Sequence, residues 1–325
     1  MKKHPKMLMI LDGYGYSEAT EGNGISLADT SNFDELWQSN CHGYLSASGL
    51  AVGLPEGQIG NSEVGHMNMG AGRVIYQELT RISRDVANED FYANPVLNEA
   101  MDYVLKENKA LHLMGLLSDG GVHSHIDHLI ALLELAKRKN VSKVYIHCFL
   151  DGRDVLPTSA LTFLDRLQAA IDEKGVGKIA TIMGRYYAMD RDKRWERLEV
   201  AYKALTQGIG AEFEDYRQGM EASYADGVTD EFVKPIITAA QGTVGDEDCI
   251  IFYNFRTDRA RELMWAFKDP NFSGWQRQVC PKTHYVCFTQ CDAGFDLPIA
   301  FPKEEIKNDL GSYLSRLGKT QLRIA

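Results

Sequence analysis

Apolar residues follow two rhythms along the chain, and their alternation sets out its organisation. From about residue 108, short apolar runs alternate with longer stretches in which apolar residues recur every three or four positions. The runs at residues 111–117, 144–150, 178–183, 249–253 and 284–289 predict strands. Between them, Ile126, Leu129, Ile130, Leu133 and Ala136 share one helical face. A second helix is predicted over residues 159–173, and a third carries Trp195, Leu198, Tyr202 and Leu205. Strands alternating with helices imply an α/β fold with a mostly parallel, helix-covered sheet.

Outside that stretch the pattern is less regular. Residues 7–11 read as a short buried strand, 32–37 as a short helix and 44–47 as a strand-like piece. Residues 60–68 put a serine between a glycine turn and a run that can be helical. Residues 296–309, with two prolines, read as a connector. A helix is then predicted over 306–317 and the start of a strand over 319–325. There is no repeat and no low-complexity segment.

The 325 residues are 44% hydrophobic and 25% charged, enough for two globular domains. The net charge of −10 argues against a nucleic acid or an anionic membrane as partner. A small anion stays open wherever arginines locally reverse the field. Asp12 ends the first apolar run after five residues, too few for a signal-peptide core. No other stretch approaches membrane-spanning length, so a cytoplasmic location is expected. Cys41, Cys148, Cys249, Cys280, Cys287 and Cys291 are scattered and read as reduced core thiols. Cys287 and Cys291 lie four apart, but no second pair or nearby His completes a metal site.

The strand exits carry the candidate chemistry, because ligands of parallel sheets bind beyond the carboxyl ends of the strands. The first exit leads through Ser118 to His123, the second is Asp151-Gly152-Arg153-Asp154. The third is Gly184-Arg185 followed by Arg191, the fourth Asn254-Phe255-Arg256 followed by Arg259. Any one of these residues alone is an ordinary surface charge or cap. Four exits with the same habit predict that His123, Arg153, Asp154, Arg185, Arg191, Arg256 and Arg259 converge on one cleft. Guanidinium groups grip phosphate and carboxylate bidentately, and Asp154 can move a proton on or off a hydroxyl. Ser62, at a helix start with its free N–H groups, suits a nucleophile that meets an anion. Equally, Asn61 or Ser62 is simply a helix cap. The spacing of His123, His125 and His128 permits a metal site, but three liganding histidines should come with a carboxylate and an open position, so His125 and His128 read as supporting the loop or as having no role.

Six segments occur in a telling order: residues 7–15 (MLMILDGYG), 60–73 (GNSEVGHMNMGAGR), 118–125 (SDGGVHSH), 151–154 (DGRD), 183–187 (MGRYY) with Arg191, and 254–259 (NFRTDR). Together they closely resemble cofactor-independent phosphoglycerate mutase over essentially the whole chain. The resemblance implies an alkaline-phosphatase-like doubly wound domain, incomplete here, over residues 1–76 and 305–325. It implies an inserted α/β phosphotransferase domain over residues 77–304. Ser62 matches the family's phosphorylated serine and, with Asp12, its metal ligands for two Mn²⁺ ions. His123, Arg153, Asp154, Arg185, Arg191, Arg256 and Arg259 match its substrate-binding residues, with Asp154 the candidate for proton transfer. The implied reaction interconverts 3-phosphoglycerate and 2-phosphoglycerate in a monomer, without nucleic-acid or membrane partners.

The chain departs from the family where most metal ligands belong. The family's C-terminal Asp-His pairs, a further His and a substrate lysine have no counterpart here. The expectation is an N-terminal portion that is inactive alone. The alternatives are a fragment that binds phosphoglycerate or glycerate without turnover, and a related metal-dependent phosphatase or phosphomutase.

Overall fold

The computed structural model describes residues 4–324. The chain divides into two compact units, Glu78–Glu305 and Met1–Gln77 with Ile306–Ala325. The first is built on a seven-stranded sheet: β1 (Leu111–Leu117), β2 (Val144–Leu150), β3 (Lys178–Gly184), β4 (Ala211–Glu212), β5 (Ile236–Ile237), β6 (Cys249–Phe252) and β7 (His284–Cys287). The spatial order is β4-β5-β3-β2-β1-β6-β7, all neighbours being parallel except β3 and β5. The two-residue strands β4 and β5 were not predicted, because two residues carry no readable period.

Side chains alternate across the sheet, as strand geometry requires. Leu111, Leu113, Leu117, Val144, Ile146 and Cys148 enter one core with the helices Glu78–Ala87, Pro95–Glu107, Ile126–Arg138 and Ala160–Lys174. Met114, Leu116, Phe149 and Phe252 enter a second core with the helices Trp195–Gln207 and Arg261–Lys268. Both faces are therefore covered, and each fully buried side chain of this size contributes about 1.5–3 kcal/mol. The helices at 78–87, 95–107, 216–225 and 261–268 are additions to the elements read from the sequence.

Two features of the sheet set up the site. In register, Leu117 pairs with Leu150 and Leu150 with Gly184, so Ser118, Asp151 and Arg185 emerge side by side. β1 lies between β2 and β6, and the chain leaves it outward through β2 and β3 before returning on the other side. This is a topological switch point, where connections diverge and open a crevice at the carboxyl ends.

The second unit contains the helices Gly24–Leu27, Ser31–Ser39, Ser62–Ala71 and Leu310–Arg316, with a small buried cluster of Val52, Leu54 and Val64. Three expected strands are corrected here. Residues 7–11 form no strand and are exposed, Met7 by 83%; residues 44–47 likewise, Leu45 by 93%. Residues 319–324 form none either, and Ala325 lies outside the described residues. A strand persists by sharing its backbone hydrogen bonds with a neighbour, and this unit has no strand among its described residues to supply one. The last helix starts at Leu310 rather than 306, because Asp309 caps it through the Ser312 amide at 3.0 Å. All six cysteines are free, but Cys41 and Cys280 are exposed rather than core thiols.

Candidate active site

Arg185, the first residue after β3, is buried, with its guanidinium clasped by two carboxylates. Its Nη1 donates to Asp151 Oδ1 at 2.7 Å and to Asp154 Oδ2 at 2.6 Å. Its Nη2 donates to His123 Nε2 at 2.9 Å. Burial alone would lower the Arg185 pKa, but the Asp154 and Asp151 carboxylates outweigh it and raise it. Asp151 organises the whole turn after β2. Its Oδ2 accepts from Ser118 Oγ at 2.6 Å, and its Oδ1 from the amides of Arg153 and Asp154 at 3.2 and 2.9 Å.

Two glycines make this approach possible. Gly152 has φ +64, a conformation open to glycine at little cost, and a Cβ there would lie 2.8 Å from the Glu231 amide nitrogen. A Cβ on Gly184 would lie 2.1 Å from the Glu231 carbonyl oxygen. The segment at 230–231 therefore packs directly against both exits and brings Glu231 to within 3.7 Å of Arg153.

His123 sits at the switch point itself, its carbonyl accepting from the Phe255 and Arg256 amides beyond β6 at 2.8 and 3.3 Å. Because Arg185 can only donate, His123 Nε2 is the acceptor and the imidazole is neutral with its proton on Nδ1. Burial, reinforced by the Arg185 charge, pulls the His123 pKa down to about 4. The Nδ1 is buried without a hydrogen-bond partner and lies 3.8 Å from Asp258 Oδ1.

Asp258 links the remaining arginines. Arg191 Nη1 donates to its Oδ2 at 3.0 Å, and Arg256 Nε lies 3.1 Å from its Oδ1. Burial would raise the Asp258 carboxyl; the Arg191 hydrogen bond and the Arg256 charge win and hold it below the usual range. Burial, followed by the charges of Arg191, Arg185 and Arg153, pulls Arg259 below its ordinary range. A cavity of about 80 Å³ opens among Arg153, Arg185, Tyr186, Asp190, Glu231 and Arg259. The seven exit residues named from strand rhythm are thus neighbours. Asp151 and Asp258 were missed as site members, although both stand inside quoted motifs; a motif does not say which carboxylate points inward.

Ser62 and Asp12 belong to the other unit. Asn61 is the cap, its Oδ1 accepting from the Val64 amide at 3.1 Å, so Ser62 is the first helical residue with an exposed side chain. Ser62 Oγ lies 3.2 Å from His66 Nδ1, a contact the sequence reading did not include. That nitrogen also meets the Ser62 carbonyl at 2.8 Å. A carbonyl only accepts, so Nδ1 carries the hydrogen and is no base for the hydroxyl in this arrangement.

No hydrogen bond or ion pair joins Asp12 to Ser62, and no group of three or more His, Cys, Asp or Glu is placed to hold a metal among the described residues. A hard divalent ion takes about six donors, so Asp12 and Ser62 do not by themselves fit a two-manganese centre. Of the trio His123, His125 and His128, the last two have structural roles. His125 Nδ1 accepts from the Asp127 amide at 3.2 Å as a helix cap, and buried His128 bonds Ser83 Oγ through Nε2 at 2.9 Å.

The family model described as BPG-independent PGAM N-terminus matches residues 82–293. The chain belongs to this family. Among the BPG-independent phosphoglycerate mutases, the 2,3-bisphosphoglycerate-independent phosphoglycerate mutase 2 of Methanosarcina acetivorans is 55% identical, with 99% of this chain and 63% of that protein covered. The 2,3-bisphosphoglycerate-independent phosphoglycerate mutase of Clostridium botulinum is 51% identical, with 100% of this chain and 65% of that protein covered. The chain therefore spans less than two thirds of these mutases. The crystal structure of the Leishmania mexicana phosphoglycerate mutase at low cobalt concentration matches with a TM-score of 0.72 at 31% identity, covering 95% of this chain and 59% of that one. The architecture is accordingly that of the mutase family, an alkaline-phosphatase-like α/β fold with an inserted domain. No helix among the described residues is long and apolar enough to cross a membrane.

Proposed function

We propose that this chain carries the nucleophile and the substrate-binding residues of a phosphoglycerate mutase, an isomerase interconverting 3-phosphoglycerate and 2-phosphoglycerate. The observation that carries the reading is the arginine cluster around neutral His123 and the Asp154–Arg185 pair. Arg153, Arg185, Arg191, Arg256 and Arg259 supply the positive charge that a small molecule with a phosphate and a carboxylate requires. His123 offers an Nδ1–H beside them.

In the proposed reaction Ser62 Oγ bonds to the substrate phosphorus as the bond from phosphorus to the glycerate oxygen breaks. The serine hydroxyl proton leaves, and the departing glycerate oxygen gains one. The reverse transfer then places the phosphoryl group on glycerate's other oxygen, so atoms and charge balance over the cycle. Asp154, at the mouth of the exits, is the group proposed to move protons at the glycerate hydroxyls. The arginines keep glycerate bound between the two transfers, which separates a mutase from a phosphatase.

Asp12 and Ser62 would supply two oxygen donors to a manganese centre. The inserted domain is proposed to be the substrate-holding one, residues 77–304, and residues 1–76 with 305–325 part of the nucleophile-bearing one. A cytoplasmic monomer acting in glycolysis is part of the same reading. A second reading, binding without turnover by these 325 residues, is favoured by the shortage of metal donors around Asp12 and Ser62.

Calorimetric titration with 3-phosphoglycerate tests binding. Arg256→Ala should weaken it about 10-fold or more, the usual cost of one charge-assisted contact; unchanged affinity would overturn the cleft assignment. In a polypeptide extended to the length of the relatives, Ser62→Ala should abolish isomerisation, and retained turnover would overturn the phosphoserine. Turnover by the 325-residue chain would rule out the binding-only reading.

A further inference from the structure

Arg191 is carried by a loop whose shape depends on two buried carboxyl groups. Asp190, 3% exposed, accepts the amides of Asp192 and Arg194 on its Oδ2, each at 2.9 Å. Glu262, also 3% exposed, reaches over from the first turn of the helix Arg261–Lys268 and accepts the Lys193 amide on Oε1 at 2.9 Å. Three consecutive amides, 192 to 194, therefore end on two carboxyl side chains. At the other end of the loop, Arg259 Nη1 donates to the Met189 carbonyl at 3.0 Å. Between these anchors Arg191 extends to Asp258.

The loop conformation is not one the backbone would choose alone. Lys193 has φ +57, in the left-handed region that a lysine rarely adopts. Such a conformation persists only where surrounding contacts over-determine it. Glu262 provides that constraint at some cost, since its Oε2 is buried without a hydrogen-bond partner. Burial, opposed by the Lys193 amide and reinforced by the Asp190 and Asp192 carboxylates, pushes Glu262 up to about 7. The charged groups near the pair are Asp192, which acts on Glu262, and Arg194, Arg197 and Arg259, which line the same cavity as Asp190, with Arg197 Nη1 at 3.8 Å from Asp190 Oδ1.

We propose that Glu262 and Asp190 are positioning residues for Arg191, a carboxyl pair that clamps residues 192–194 and so fixes where this guanidinium meets the substrate anion. The inference rests on the phosphoglycerate reading of the site and deepens it. Neither carboxyl touches substrate. With Glu262 neutral, the pair holds the loop with a single negative charge; with Glu262 ionised, two buried carboxylates repel each other and the clamp loosens.

The clamp and the substrate reading are tested by separate measurements on the 325-residue chain. Amide hydrogen exchange without ligand reads the clamp. Protection of the amides of residues 192–194 should fall at least 10-fold in Glu262→Ala, while Glu262→Gln, which keeps the acceptor oxygen, should retain it. Between pH 6 and pH 8 wild-type protection factors should fall and those of Glu262→Gln should not. Unaltered protection in Glu262→Ala, or the same pH response in Glu262→Gln, would overturn the clamp. Because Glu262→Gln is close in shape, this arm stands even where the alanine variant does not fold.

Calorimetry with 3-phosphoglycerate reads the consequence. Glu262→Ala should weaken binding about 5- to 20-fold, Glu262→Gln less than 2-fold at pH 6, and Glu262→Ala should add nothing in an Arg191→Ala background. The ratio of wild-type to Glu262→Gln dissociation constants should rise between pH 6 and pH 8, with titration of the substrate cancelling. Independent, multiplying losses in the double variant would leave Glu262 a core residue only and overturn the proposal. Absence of 3-phosphoglycerate binding to the wild-type chain, with the exchange results as expected, would sink the substrate reading alone.

Discussion

His123 Nε2 accepts a hydrogen bond from Arg185 Nη2 at 2.9 Å, and burial together with this bond keeps the imidazole neutral. An arginine cannot accept, so a protonated His123 would have to break away from it or face its positive charge. The histidine is held neutral with its Nδ1–H directed toward the arginine-binding carboxylate Asp258.

The first prediction concerns pH. His123 is lowered to about 4 by burial and then Arg185, and buried His128 to about 3 by burial and then His125. An unfolded chain protonates both near 6.5. Between those values the unfolded state binds more protons, so their contribution to stability is full above about pH 6.5 and is lost as pH falls through that window. NMR titration should find both rings neutral at pH 5.5. A midpoint near 6.5 for His123 would contradict the Arg185 bond.

A second prediction concerns Asp151, which receives Arg185, Ser118 and two backbone amides at once. Removing one partner of a buried ion pair leaves the other charge uncompensated, at a cost of about 3–5 kcal/mol. Asp151→Ala should lower the free energy of unfolding measured by urea denaturation by that amount, more than Asp154→Ala, whose carboxylate is less buried. Equal effects would remove Asp151 from the centre of the cluster.

The third prediction separates the cap from the nucleophile. Asn61, not Ser62, bonds the Val64 amide. Asn61→Ala should destabilise the helix Ser62–Ala71 by about 0.5–2 kcal/mol, and Ser62→Ala should leave that helix nearly unchanged. Hydrogen exchange at the amides of residues 64–68 measures both. A larger loss in Ser62→Ala would return Ser62 to the role of a cap.

The strands illustrate what was legible. β1 and β2 have the bounds read from their apolar runs, and β3 differs by one residue, because a buried parallel strand writes its length as an uninterrupted local run. The same run at residues 7–11 was misleading. Its apolarity is real, but strand formation depends on a neighbour that its own five residues cannot encode.

The amino-acid sequence by itself determined the family, the α/β rhythm and the exits on which His123, Asp154 and the arginines stand, since each is a pattern within a few consecutive residues. Only the tertiary structure decided which carboxylates serve those arginines. Asp258 meets Arg191 from 67 positions away and Glu262 reaches the Lys193 amide from 69. Such pairings arise from strand register and helix packing, so no local spacing records them.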